Sequence, residues 1–264
     1  MNLPLNIITI KWGEKYGCDY VNRLFHGVAR NLKREARFVC FTENGTGIGE
    51  SVDVLPLPEF DAPDSHLWCN WRKLSLFRDD LPLEGLCLFL DLDLLITGSL
   101  DAFFDYGDPD SVPIIHNWIE PHKIWFRPRP EIGNSSVFRF KANAMGALYR
   151  QYLDEMEWAL ANFHPPQTYL THLIRPQMCY WPKEWVISFK RHLMRPFPLN
   201  WIRPAKAPPP SARIVAFHGR PNPDEAMEGY RGRKLNHRVL PAPWIWDFWQ
   251  CAKDAGNAAN STEV

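Results

Sequence analysis

The chain has 264 residues, 45% of them hydrophobic, with 30 basic and 30 acidic side chains and a formal net charge of +0. This length and composition suit one large α/β domain and exclude global disorder. The neutral balance gives no electrostatic reason to expect nucleic acid or an anionic membrane as the main partner; no apolar run reaches the length of a membrane span, and MNLPLNIITIKWG lacks the features of a signal peptide.

Residues 5–10, LNIITI, are a β-branched apolar run that predicts a buried strand. KWGEKYGC follows as a loop. Residues 19–33 place Val21, Leu24, Phe25, Val28 and Leu32 at helical spacing, with Asp19 as N-cap. RFVCFT (37–42) predicts a second strand and SVDVLPL a short third. Strand, helix and strand at this spacing imply a parallel α/β sheet. Residues 66–81 predict a helix and CLFLD (87–91) the next buried strand. VPIIH (112–116) and SSVFRF (135–140) predict two more strands, residues 141–163 one long helix, and residues 166–174 a shorter one. ARIVAFH (212–218) predicts a final buried strand and residues 241–255 a closing amphipathic helix.

No internal repeat or linker interrupts this pattern, so the expectation is a single domain over residues 1–255 with a disordered tail, 256–264. The 24 prolines crowd late in the chain, which predicts a loop-rich last third. None of the six cysteines forms a CxxC pair, so they read as buried, reduced thiols of a cytoplasmic protein rather than a zinc site. Most of the 12 tryptophans are expected to pack in the core or its rim, although any of them could stack on a sugar face.

LCLFLDLDLLITGSL (86–100) is nearly all apolar except for Asp91 and Asp93. Burying an ionised carboxylate without a partner is costly. The pair falls at the C-terminal end of a predicted strand, the edge where open α/β sheets bind ligands. In a strand, residues i and i+2 face one side, so both acids would face one site with Leu92 turned away. Two carboxylates suit Mg²⁺ or Mn²⁺ held together with a phosphate, whereas a strand end whose acids cap the next loop is the plainer reading. His218, in VAFHGRPNP, is a third candidate ligand, against the usual role of a lone histidine as a hydrogen-bonded structural residue. Gly219 would let the backbone approach a phosphate, and Arg220 could pair with it.

DLDLLITGSL followed far downstream by FHGRPNP resembles the GT-A glycosyltransferases of the glycogenin and lipopolysaccharide-galactosyltransferase type. The chain also resembles a set of bacterial proteins opening with IKWGxKYGxxYVNRL, here IKWGEKYGCDYVNRL. The resemblance covers most of residues 5–223. It implies an α/β GT-A fold, a mostly parallel central sheet flanked by helices, and transfer of a sugar from a nucleotide-sugar donor, a UDP-sugar, to a glycan, lipid or protein acceptor. It also implies that Asp91, Asp93 and His218 coordinate Mn²⁺ (or Mg²⁺). Thr9, Ile10, Lys11, Tyr16, Arg72, Leu92, Gly219 and Arg220 become the nucleotide-binding candidates, with Lys73 beside Arg72 as a second cation. Asn134 and Ser135, with Ser136, match the segment that lines the sugar site, and Gln167 joins Asn134 and Ser135 as a catalytic candidate.

Two departures stand out. Pro166 occupies the place where this family carries an acid before the retained Gln167, and Asn222 stands where it often carries a lysine. The first leaves open a degenerate GT-A domain that binds nucleotide or glycan without transfer. The run SFKRH (188–192) is either a diphosphate or acceptor clamp or a solvated turn, the second being the plainer reading.

Overall fold

The computed structural model describes residues 3–63, 66, 69–118, 131–233 and 237–250; Trp68, Trp125, Cys251, the expected tail and the last part of the expected closing helix lie outside these residues. The first strands in chain order are β1 (Leu5–Lys11), β2 (Arg37–Thr42), β3 (Asp53–Leu55), β4 (Leu86–Leu90), β5 (Leu94–Ile96) and β6 (Val112–His116). They are followed by β7 (Gly133–Lys141), β8 (Met178–Tyr180), β9 (Val186–Ser188), β10 (Ile214–Ala216), β11 (Tyr230–Arg231) and β12 (Arg238–Val239). The chain divides into two compact units. One comprises Met1–Cys18, Arg34–Asp91 and Asp101–Lys183; the other comprises Asp19–Lys33, Leu92–Leu100 and Glu184–Val264.

The first unit is built on a seven-stranded sheet in the order β3-β2-β1-β4-β7-β6-β8. The pairs β3–β2, β2–β1, β1–β4 and β6–β8 are parallel, while β7 runs antiparallel to both β4 and β6. The sheet is therefore mostly parallel, as expected. All five residues of β4, LCLFL, are buried, the pattern of a central strand covered on both faces. Ile8, Val39, Phe89 and Phe138 join Trp71, Tyr152 and Tyr169 in one core. Phe60 stacks on Tyr152 at 5.6 Å between ring centroids.

Two expected helices of this unit differ from their predictions. Residues 66–81 yield a 3₁₀ helix over Asn70–Phe77, and every residue from Trp71 to Phe77 is buried. A segment covered on all sides has no solvent face, so its apolar spacing could not report its helical phase. The long helix over 141–163 is instead the end of β7 followed by helices Gly146–Asp154 and Met156–Asn162. Asn143 supplies the break: its φ is 56°, and its Nδ2 donates to the carbonyls of Leu81 and Leu83. Asparagine tolerates that left-handed conformation because its amide can hydrogen-bond locally.

In the second unit, β5 pairs antiparallel with β10, and β10 pairs parallel with β9. Helix Cys18–Asn31 approaches this sheet closely: a Cβ on Gly27 would lie 3.2 Å from Ile96. Phe189 stacks on Phe217 at 4.4 Å between centroids, and Tyr20 meets Trp249 edge-on. The expected closing helix appears as a 3₁₀ turn, Pro243–Ile245, and a short helix, Trp246–Trp249; Pro241 and Pro243 cannot donate to a helical ladder, which delays its start.

Cys40 and Cys87 are buried, and desolvation pushes both thiols up to about 12. Cys18, Cys69 and Cys179 are half-buried, and none of these five forms a disulfide. Among the described residues no helix is long and apolar enough to cross a membrane.

Arg139 on β7 is fully buried. Its guanidinium donates to the carbonyls of Phe103, Phe104 and Asp108, closing the end of helix Asp101–Asp105. Desolvation lowers its pKa, the direction expected for a cation kept from water. Arg139→Leu leaves these acceptors unmet in the interior and should cost about 3 kcal/mol, read from urea unfolding; a loss below about 1 kcal/mol would show that water replaces the guanidinium there.

Candidate active site

β4 ends at Leu90 and β5 begins at Leu94, so Asp91, Leu92 and Asp93 form the bend between two strands rather than part of either. Strand alternation therefore does not govern them, contrary to the expectation from spacing. The division between the two units falls between Asp91 and Leu92. Leu92 is buried, and Asp93 is 9% exposed.

In the first unit Asp91 is fixed from two directions. The antiparallel register pairs Leu90 with Val137, and one residue further on Asp91 N donates to Ser136 O. The 3₁₀ helix then sends Lys73 to the carboxylate: Nζ lies 2.7 Å from Asp91 Oδ1 and 2.9 Å from Oδ2. The same ammonium donates to Ser135 O at 3.1 Å and lies 3.4 Å from Ser135 Oγ. Phe89 offers its ring face to it at 5.0 Å. Ser136 N donates to Asn134 Oδ1, which orients that amide. The structure thus joins Asp91, Asn134, Ser135 and Ser136 in one cluster, with Lys73 at its centre.

Arg72, the neighbouring candidate, points elsewhere. It is buried, donates to Pro58 O and lies over the Phe60 ring, and desolvation lowers its pKa. Lys73 is the cation of the RKL segment that meets the acid. Thr9, Ile10 and Lys11 end β1 and are all buried; Thr9 Oγ1 has no hydrogen-bond partner. Tyr16 is half-buried in the following loop, with Lys15 Nζ 4.5 Å from its ring centroid. Gln167 is the second residue of helix Pro166–Ile174. Pro166 opens that helix, a position where its missing N–H costs nothing and its fixed φ is already helical.

In the second unit the sheet register brings the Asp93 backbone to Phe217, the residue before the late histidine. Leu94 pairs with Ala216 and Phe217 N donates to Asp93 O, so His218 follows the residue bonded to Asp93. His218 Nε2 lies 2.7 Å from Ser188 Oγ, which also accepts from Arg191 N. Burial, and then the charges of Lys190 and Arg191, push the imidazole down to about 4. His218 is therefore neutral at ordinary pH, the form that can donate a lone pair to a metal. Lys190 is itself lowered by burial and held up in part by Asp93. Gly219 has a φ of +64°, and a Cβ there would lie 3.4 Å from Lys190 Nζ; glycine keeps this approach open. Arg220 points to Glu225, 3.3 Å away, at the start of helix Pro223–Glu228.

Among the described residues no three His, Cys, Asp or Glu side chains are gathered into a ready-made metal site. The donor types present suit Mn²⁺ better than Mg²⁺: Asp93 offers carboxylate oxygen and His218 a neutral imidazole. Sequence reasoning named Lys73 only as a second cation and not as the partner of Asp91, and left SFKRH, which holds Ser188 and Lys190, between a clamp and a solvated turn. The signals for them were present in RKL and SFKRH, but which residue of each run turns inward is set by packing.

No protein-family model matches the chain, and no curated protein matches it either. Solved structures do. Galactosyltransferase LgtC in complex with donor and acceptor sugar analogs is similar over 83% of this chain and 89% of its own, with a TM-score of 0.56 and 16% identity. An active-site mutant of LgtC covers 96% of both chains, with a TM-score of 0.59 and 14% identity. Glycosyltransferase GlyE of Streptococcus pneumoniae TIGR4 has a TM-score of 0.62 at 12% identity over 95% of this chain; this chain spans 62% of GlyE. The fold is that of the GT-A glycosyltransferases.

Lys73→Met removes the counter-ion of a part-buried carboxylate while keeping most of the side-chain volume. The expected outcome is a loss of about 3 kcal/mol in denaturant unfolding, largely recovered when Asp91→Asn is added because the uncompensated charge is then gone. Additive losses in the double variant would disprove the coupling.

Proposed function

We propose that this chain is a cytoplasmic glycosyltransferase that moves a sugar from a UDP-sugar to a glycan, lipid or protein acceptor, with Mn²⁺ (or Mg²⁺) as cofactor. The observation that supports the reading is a GT-A fold in which the Asp93 backbone bonds to Phe217, next to a buried His218, and Lys190 feels the charge of Asp93 and acts on His218. The cysteine chemistry supports the reducing compartment.

Asp91, Asp93 and His218 are the proposed ligands. The ion, when bound, would supply Lewis-acid stabilisation of the charge left on the departing diphosphate. The residues of the chain do the rest. Ser188 fixes the ring of His218, and Lys73 fixes the carboxylate of Asp91. Gly219 admits phosphate oxygen to the backbone, with Lys190 as the nearest cation. Asn134, Ser135 and Ser136 offer an amide and hydroxyls to the sugar in donor and acceptor directions, and Gln167 stands at the mouth of its helix. Thr9, Ile10, Lys11 and Tyr16 read the nucleotide: the unpartnered Thr9 hydroxyl is a free buried hydrogen-bonding group, and Tyr16 gives an aromatic face. We further propose retention of anomeric configuration, the departing phosphate oxygen taking the acceptor's proton.

A second reading has its own support. Lys73 already neutralises Asp91, and Pro166 stands where an acid is expected, so a domain that binds nucleotide or glycan without transfer fits those two residues.

Melting temperature measured with UDP, GDP, ADP and CMP, each with and without Mn²⁺, separates the readings by mass action on the native state. A rise with UDP that requires Mn²⁺ is expected, together with release of free UDP from a donor. Binding without release selects the second reading, and no response to any nucleotide removes the transferase reading and leaves the second in its glycan-binding form. Asp93→Asn should reduce Mn²⁺-dependent UDP affinity at least tenfold in calorimetry while leaving the fold intact, since it removes a ligand charge and little volume. An unchanged affinity would remove Asp93 from the ligand set. An inverted product linkage in NMR would refute retention.

A further inference from the structure

The formal neutrality of the chain conceals a local imbalance. Residues 185–223 contain seven Lys or Arg and no Asp or Glu. The same stretch contains the two most exposed large hydrophobic residues among those described, Ile202 at 71% and Phe197 at 55%, with Leu199 between them at 40%. Among the described residues the other exposed large apolar side chains are Leu3, Val54, Leu153 and Trp158, and no three of these share one short stretch. Three within six residues, on a stretch whose only charged side chains are basic, do need an explanation.

The loop that carries them is anchored. Its two ends are tied by Lys206 N donating to Leu193 O and by Arg195 Nε donating to Pro204 O. At its centre Asn200 is buried and its Nδ2 donates to Arg238 O, while the Arg238 guanidinium lies 4.4 Å from the Trp201 ring centroid. Trp244 Nε1 donates to Ala205 O. A short 3₁₀ turn, Leu199–Trp201, holds the tip. The backbone is thus held from inside while Phe197, Leu199 and Ile202 point to water. Arg195, Arg203 and Lys206 lie on the same loop. Beside the loop, Lys190, Arg191, Arg195, Arg220 and His237 line a cavity of about 130 Å³, a cationic recess of a size for a single anionic headgroup.

We propose that this loop is a peripheral membrane-docking site that inserts Phe197, Leu199 and Ile202 among the acyl chains of an anionic lipid surface. Apolar side chains entering the acyl boundary with basic residues at headgroup level are the physical basis of interfacial binding, each cation adding attraction to the negative surface. The occupant is decided by charge: Arg195, Arg203 and Lys206 share the loop with the three apolar side chains, and no Asp or Glu lies within residues 185–223, a balance that matches an anionic lipid sheet. The inference does not depend on the proposed transfer reaction, since docking needs neither nucleotide nor metal. It would bring the protein to a lipid-borne acceptor.

The test is co-sedimentation of the full chain, without nucleotide, with vesicles of phosphatidylcholine and phosphatidylglycerol and with vesicles of phosphatidylcholine alone. Binding to the anionic vesicles, weakened by added salt, is expected. Phe197→Ser/Ile202→Ser should weaken it roughly tenfold or more, because burial of both side chains is lost. Arg203→Gln/Lys206→Gln should remove the preference for anionic over neutral vesicles. All four positions are exposed, and unchanged melting temperatures certify the folds of the variants. Failure to bind anionic vesicles, or equal binding by Phe197→Ser/Ile202→Ser, overturns the proposal. So does a dimer in light scattering that this same double variant disperses, which would make a second copy the occupant.

Discussion

A single buried ammonium organises the first unit. Lys73 Nζ reaches both oxygens of Asp91 and the carbonyl of Ser135, and so ties the 3₁₀ helix, the end of β4 and the start of β7 into one cluster. A carboxylate at the end of an all-apolar strand is affordable only with such a partner. The interaction also bears on what surrounds it: Ser135 and Ser136 are buried, the carbonyl of Ser136 accepts from Asp91 N, and Asn134 is held by Ser136 N. The cluster is held by hydrogen bonds within the chain itself, which suits residues expected to hold a sugar in one orientation.

The second unit solves a related problem with neutral groups. His218 is buried near Lys190 and Arg191, so its protonated form is disfavoured twice, by desolvation and by like charge. Ser188 gives its ring a hydrogen-bond partner. Asp93 lies one hydrogen-bonded neighbour away through the β5–β10 register. The cations of this unit therefore face an acid, an imidazole and, further along the chain, an exposed apolar loop. One basic stretch serves two surfaces of different chemistry, and the glycine at 219 takes a φ of +64° that other residues rarely adopt.

Much of the scaffold was legible in the sequence. LNIITI, RFVCFT, CLFL and VPIIH became strands because each is a continuous apolar run of the kind a doubly covered sheet needs, and residues 19–33 announced their helix by one buried face. The candidate residues Asp91, Asn134, Ser135 and Ser136 did come together. The choice between Arg72 and Lys73 was not legible, because the segment around them is buried on every side and gives no phase. Neither was the break at Asn143, which depends on carbonyls of Leu81 and Leu83 more than fifty residues earlier. The docking loop was masked by averaging: a total charge of zero says nothing about where the charges lie.

The sequence by itself determined the class of sheet, the position of an acidic pair at the end of a central strand and the types of side chain available for chemistry. These follow from local apolar patterning, which the chain carries wherever it folds. Only the tertiary structure decided that Asp91 and Asp93 belong to a bend rather than a strand, that Lys73 neutralises the first and the residue before His218 bonds to the backbone of the second, and that Phe197, Leu199 and Ile202 remain uncovered. Each of those outcomes depends on partners distant in sequence, and no local pattern fixes which buried groups will meet or which apolar ones will be left facing water.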